Sequence, residues 1–304
     1  MMRELGGSLV EWVASLNSVD VPGNNRFHRF VLSARLGLWP AIVLSAWAFG
    51  HLLGSSSLLI GVLSINLCLL ASVAFLFNDA CDIKIDERNN LSRWSIQTRQ
   101  DLLLFLNTVV VCCIAIGTAW FWISTTAFLG LIVAACASFG YSLFCKRIFL
   151  VGNVVAAALS ISPGLIMAAD AYTRGEQGVS ASGVDLAFLA SAFLLLMSRE
   201  IKFDEFDIIG DRFGKRMTVP MFLSAPTLRV VHTLACSSGL VILLAVLVVA
   251  GRFPWFVNVA LSMVTCAFCG TLMILAYRST SKERFYKITR LIMLVIPVLM
   301  LVSF

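Results

Sequence analysis

Charge is what this sequence lacks. Only 13% of its 304 residues are Asp, Glu, Lys or Arg, and 59% are hydrophobic. A soluble domain carries roughly 25% charged and about 45–50% apolar residues, so a mean hydropathy of +0.91 excludes a water-soluble globular protein. Alternating segments of about ten residues are also absent, which excludes a β-barrel pore. There is no soluble basic module to carry the net charge of +6 onto nucleic acid. Histidine is scarce: His28, His51 and His232 lie far apart, and no histidine relay is expected. The nine cysteines include one pair at two-residue spacing, Cys266 and Cys269, inside an apolar run with no second pair or histidine nearby. Zinc needs four ligands, so the cysteines read as small packing residues. Residues 1–30 have no compact apolar core before a small-residue cleavage site, so no cleavable leader is expected. Within them, "LVEWVASL" suits a short segment lying on the membrane surface.

What is present is a series of apolar stretches of about 20 residues, the length that crosses about 30 Å of hydrocarbon as a helix. The windows lie near 31–54, 58–79, 101–121, 123–144, 148–170, 184–203, 222–250, 255–277 and 286–304. The first is the least clean, with Arg35 and Pro40 in its opening turns. The expected architecture is an all-α integral membrane bundle of nine transmembrane helices. It comprises an N-terminal segment over residues 1–30 and one domain over 31–304. Nine spans put every Lys and Arg except Arg174 and Arg252 on one side. Positive charge stays cytoplasmic, so the N-terminus and the basic loops are expected there and the C-terminus on the opposite side.

The carboxylates are not scattered. "NDACDIKID", residues 78–86, directly follows twenty uncharged residues. Wound as a helix, Asn78, Asp79, Asp82 and Asp86 fall within an arc of about 100°. In "DEFDIIGD", Asp204, Asp207 and Asp211, with Glu200 upstream, fill an arc of about 60°. A solvated loop face explains one such run, but not two with the same D-x-x-D-x-x-x-D spacing at span ends on one side. Ionisable groups at membrane depth are functional by default. Like charges on one face repel, and a cation between the faces resolves this. Carboxylate oxygens suit Mg²⁺, which is held by a few carboxylates together with substrate phosphates. Arg93, Lys146, Arg147, Arg212, Lys215 and Arg216 crowd the same rim, where some can bind diphosphate oxygens and others serve only as positive-inside determinants.

These residues carry a resemblance. "NDACDIKIDERNNLSR" resembles the first aspartate motif of the UbiA superfamily of intramembrane prenyltransferases. "REIKFDEFDIIGDRFGKRMTVP" is similar to its second motif, and "YSLFCKRIFLVGN" to its central segment. The likeness spans nearly the whole chain. One departure stands out: Arg93 is followed by Trp94-Ser95-Ile96-Gln97-Thr98, without the family's usual Pro and Gly, which puts the capping loop and the acceptor in question.

The resemblance implies a polar cap on the cytoplasmic side over an apolar lumen, with Mg²⁺-dependent ionisation of an isoprenyl diphosphate (geranyl, farnesyl or geranylgeranyl). Asp79, Asp82, Asp86, Asp204, Asp207 and Asp211 would be the metal ligands, with Asp82, Asp86, Asp207 and Asp211 central to catalysis. Asn78, Arg93, Tyr141, Lys146, Arg147 and Asn153 would bind diphosphate; an interhelical hydrogen bond is the plainer role for Asn153. The lumen would house the isoprenoid tail and keep water from the allylic cation. The prenyl group would pass to an aromatic or lipid acceptor. The alternative is a terpene cyclase with no acceptor, and the 22 phenylalanines pull slightly that way because aromatic faces stabilise cations. A non-catalytic transporter or scaffold is a third reading, opposed by the intact aspartate motifs.

Overall fold

Capping residues set where several helices begin. The computed structural model describes residues 30–31, 33–89, 96–174, 183–250, 254–279 and 281–303. Among them are ten α-helices and no strand: α1 (Trp39–Leu52), α2 (Ser57–Arg88), α3 (Arg99–Ala119), α4 (Thr125–Leu143), α5 (Val151–Ser160), α6 (Ser162–Arg174), α7 (Gly183–Phe213), α8 (Ala225–Ala250), α9 (Trp255–Tyr277) and α10 (Lys282–Ser303). Ser56 caps α2 by accepting from the Leu59 N–H, and Ser124 caps α4 by accepting from Ala127. Thr98 and Asp101 form a reciprocal capping box at α3.

Five of these helices, α2, α3, α4 extended through Arg147, α8 and α9, are long and apolar enough to cross a membrane, and the pair α5–α6 makes a sixth if counted as one span. Exposed Leu103, Leu106, Val110, Val111 and Ile114 on α3 present an outer surface that hydrocarbon rather than water would cover. The chain is a multi-pass membrane protein.

Two expectations need correction. The window near 148–170 holds two helices, not one, bent by 66° at Ile161. Pro163 has no N–H to give Leu159, which interrupts the ladder, while the second position of α6 needs no such donor. Gly164 lets α6 approach closely, since a Cβ there would stand 2.7 Å from Leu189 and 2.8 Å from Phe49. The first window is interrupted and is not one continuous helix: residues 30, 31 and 33 are helical, Arg35 is left-handed (φ 54°) and starts a short 3₁₀ turn, and Pro40 occupies the first turn of α1. Residues 1–29, with the proposed surface segment, lie outside the described residues.

Packing runs α1–α2, α2–α4, α4–α6, α5–α7, α7–α8, α8–α9 and α9–α10, and α10 returns against α1, closing the bundle. The helices carrying the two acidic runs, α2 and α7, also touch. At 1.5 Å per residue they are roughly 48 and 46 Å long, well over the 30 Å of a bilayer core. Both therefore carry their last turns, and the aspartates, to one end of the bundle.

Candidate active site

The acidic face of α2 is buried. Asp79, Asp82 and Asp86 are 1%, 6% and 7% exposed. Charge at that depth needs compensation, and two basic residues supply it at Asp82. Lys146 Nζ reaches Asp82 Oδ1 at 2.6 Å and donates to Asn78 Oδ1 at 3.0 Å. Arg216 pairs with the same Asp82 oxygen and reaches Asp211 Oδ1 on α7 at 3.2 Å. Asp82 and Arg216 thus connect the two aspartate helices.

Local backbone places both cations. Lys146 sits in a 3₁₀ turn, Cys145–Arg147, between α4 and α5. Gly152 packs on that turn so closely that a Cβ would lie 2.9 Å from the Lys146 Cα. After α7, Lys215 turns the chain back through a left-handed conformation (φ 54°). The Arg216 N–H then bonds the Asp211 carbonyl at 3.0 Å, which aims its guanidinium into the gap. Burial works against that charge, but Asp82 and Asp211 outweigh it and hold the guanidinium above its ordinary pKa.

The α7 face is tied differently. Asp204 Oδ2 accepts from Asn153 Nδ2 at 2.8 Å, and Asp207 pairs with Lys282 at the start of α10. Asn89 closes the end of the site: its Oδ1 accepts from the Gly210 N–H at 2.8 Å, and its Nδ2 donates to Asp207 at 3.4 Å. Only glycine allows this approach, because a Cβ on Gly210 would stand 2.4 Å from Asn89 Nδ2. Asp79 also has Arg35 at 3.9 Å.

Two cavities stack along α5 and α7. The polar one is lined by Tyr141, Lys146, Asn153, Glu200, Asp204 and Thr218 among others. The apolar one runs past Phe49, Ser160, Ile161, Phe188 and Leu195 to Met273, Tyr277 and Ile296. They meet where Arg199, on the apolar side, pairs with Glu200, on the polar side. The break at Ile161 helps shape the apolar cavity, since Ser160, Ile161 and Pro163 all face it.

The profile of the UbiA prenyltransferase family matches residues 37–294. The chain belongs to this family. Its fold is similar to a UbiA homologue from Aeropyrum pernix K1 in its apo form, at 13% identity and a TM-score of 0.61, covering 88% of this chain and 97% of that one. A digeranylgeranylglyceryl phosphate synthase is also similar in fold, at 15% identity and a TM-score of 0.56, covering 91% and 98%. No curated protein sequence matches the chain.

As a UbiA family member the chain is a membrane prenyltransferase, and its donor chemistry can be tested against the expected Mg²⁺. Among the described residues no three carboxylates gather into a preformed cage. Mg²⁺ does not need one, because it takes one or two carboxylates and completes its shell with phosphate oxygens and water. Two opposed helices of hard oxygen donors fit that demand.

The structure brings together Asn78, Asp82, Lys146, Asp211 and Arg216 at one centre, with Tyr141, Asn153 and Asp204 around the adjoining cavity. Asn153 makes the interhelical hydrogen bond and lines the cavity as well. Arg147 is not brought in: its side chain is exposed and its backbone carbonyl accepts from the Met217 N–H. Arg93 and the altered segment after it through Ser95 lie outside the described residues. Arg35, Asn89 and Lys282 were not singled out from sequence. Asn89 sits three residues after Asp86 and was legible there, whereas Arg35 reaches Asp79 from the turn before α1 and Lys282 reaches Asp207 where α10 touches α7, contacts that only the packing makes.

Proposed function

We propose that this UbiA family member is a Mg²⁺-dependent prenyltransferase that ionises an isoprenyl diphosphate and transfers the prenyl group to an aromatic or lipid acceptor. The observation that carries the reading is a polar cavity lined by Lys146, Glu200 and Asp204, next to the Asp82–Arg216–Asp211 bridge that Lys146 joins, stacked on an apolar one. It matches a ligand with a diphosphate head and a hydrocarbon tail. Asp79, Asp82 and Asp86 on α2 and Asp204, Asp207 and Asp211 on α7 are the residues that would hold Mg²⁺. When bound, Mg²⁺ neutralises diphosphate and makes it a better leaving group.

The chain's own side chains do the rest. Lys146 and Arg216, which neutralise Asp82 here, are the donors placed to bind diphosphate oxygens by charge-assisted hydrogen bonds. Tyr141 and Asn153 line the head-group cavity and orient it. The walls below exclude water from the allylic cation, and Phe49, Phe188 and Tyr277 set aromatic rings around it. Those rings are also the observation that favours a second reading, intramolecular cyclisation. The bias of Lys and Arg orients the site toward the cytoplasm.

The test is incubation of the purified protein with Mg²⁺ and geranyl, farnesyl or geranylgeranyl diphosphate, with and without an added acceptor. Product that requires 4-hydroxybenzoate or a glycerolipid alcohol establishes transfer. A cyclic hydrocarbon formed without acceptor establishes cyclisation. No diphosphate release from any of the three would sink both.

A further inference from the structure

Beginning shortly before Asp204, α7 shares with α8 and α9 a largely buried polar cluster whose hydrogen bonds the reaction described above leaves unused. Ser198 on α7 is 0% exposed. Its hydroxyl lies 2.5 Å from Tyr277 Oη, 3.1 Å from His232 Nδ1 and 3.3 Å from Cys236 Sγ. The other ring nitrogen, His232 Nε2, is 2.6 Å from Glu205 Oε1, whose second oxygen is held by Lys202 at 2.5 Å. No histidine relay was expected, because the partners of His232 stand 27, 34 and 45 positions away in sequence and only the packing of three helices joins them.

The directions of these hydrogen bonds are constrained. Paired with Lys202, Glu205 is a carboxylate and can only accept, so Nε2 carries a proton, and in the neutral imidazole Nδ1 accepts from Ser198. Ser198 in turn accepts from Tyr277, a residue that also lines the apolar cavity. A serine, a histidine and a carboxylate in series suggest a nucleophile, but Ser198 is enclosed and its oxygen is engaged, so attack on a substrate is excluded. What the series can do is pass a proton. Ser198, Lys202 and Glu205 are spaced i, i+4, i+7, one face of α7, and they run from the cavity toward the end of the helix that carries the aspartates.

We propose that Tyr277, Ser198, His232 and Glu205 form the proton-accepting chain of this enzyme, with Tyr277 as its substrate-facing end. The proposal rests on the prenyl-transfer reading. In that reaction the C–O bond to diphosphate breaks and diphosphate leaves with the electron pair. The acceptor supplies the pair for the new bond, and its proton must then leave an apolar space. That proton passes to Tyr277 Oη as the Tyr277 proton moves to Ser198 and the Ser198 proton to His232 Nδ1, and Glu205 stabilises the imidazolium. The cation of a cyclisation loses its proton by the same route.

The test compares wild type, Tyr277→Phe, His232→Gln and Glu205→Gln in detergent with Mg²⁺ and geranylgeranyl diphosphate. The arms contain 4-hydroxybenzoate, geranylgeranylglyceryl phosphate or no acceptor, and diphosphate release and extracted products are measured together. The expected result is a fall of at least about tenfold, in all three variants, in the ratio of deprotonated product to diphosphate released, with geranylgeraniol from water capture taking its place. A ratio equal to wild type overturns the chain, whether total turnover is normal or reduced, because a purely structural tie lowers both quantities alike. Tyr277→Phe removes one oxygen and keeps the ring, so it carries the test if His232→Gln does not fold. Absence of diphosphate release by wild type, with farnesyl and geranyl diphosphate also tried, overturns the prenyl-transfer reading itself and the chain with it.

Discussion

Asp79, Asp82 and Asp86 repeat the spacing of Asp204, Asp207 and Asp211, yet all three of the first set are buried, whereas in the second only Asp211 is. Asp82 is shared by Lys146 and Arg216 inside the bundle, while Asp207 meets Lys282 with about a quarter of each side chain exposed. Both faces supply the same oxygens, but they rest on different physics. A buried carboxylate without its cations is expensive, and so are the cations without it; a pair that water reaches is screened and contributes about 0–1 kcal/mol. Identical motifs can therefore have similar roles in chemistry and unequal roles in folding.

The largest expected effect concerns chemistry. Asp82→Ala and Asp207→Ala should each lower diphosphate release by about 10³-fold or more, the scale of losing a charge-stabilising group at a reacting centre. Full activity in either variant, with Mg²⁺ present, would remove the metal-ligand assignment. Chelation with EDTA should have the same effect on wild type, reversed by added Mg²⁺; activity that survives chelation breaks the parallel between the faces.

Stability should separate what activity does not. Asp82→Ala leaves Lys146 and Arg216 buried without their shared partner, at a cost of about 3–5 kcal/mol, and should lower the unfolding midpoint in detergent markedly. Asp207→Ala should move it little. Equal shifts would mean that the burial difference between the faces is energetically empty. Positioning is the smallest effect. Gly152→Ala forces a Cβ against backbone at 2.9 Å and must displace the Lys146 turn, so turnover should fall roughly tenfold, as misplacement of a binding group does. Gly61→Ala, with nothing within 4 Å, should match or slightly exceed wild-type stability because alanine favours the helix.

How much of this was legible varies residue by residue. Asp82 and Asp211 were placed on their acidic faces by helical spacing, because a period of 3.6 residues is local, and were given their role by the resemblance of the motifs. Their connection through Arg216 was not legible, since it depends on Lys215 adopting a left-handed turn after α7. Arg147 was grouped with Lys146 because neighbours in sequence look equivalent; a short 3₁₀ turn points one inward and leaves the other exposed. The break at Ile161 had a visible cause in Pro163, yet the apolar run continues through it, and hydropathy records composition without direction.

By itself, the sequence determined that this chain lives in a membrane, that its helices are apolar, and that two acidic faces lie at span ends. Those properties follow from composition and short-range periodicity. The tertiary structure alone decided which cations neutralise which aspartates, where polar and apolar cavities meet, and that His232 joins Ser198 to Glu205. Each depends on side chains from helices far apart in sequence meeting within about 3 Å, and no local pattern encodes such a distance.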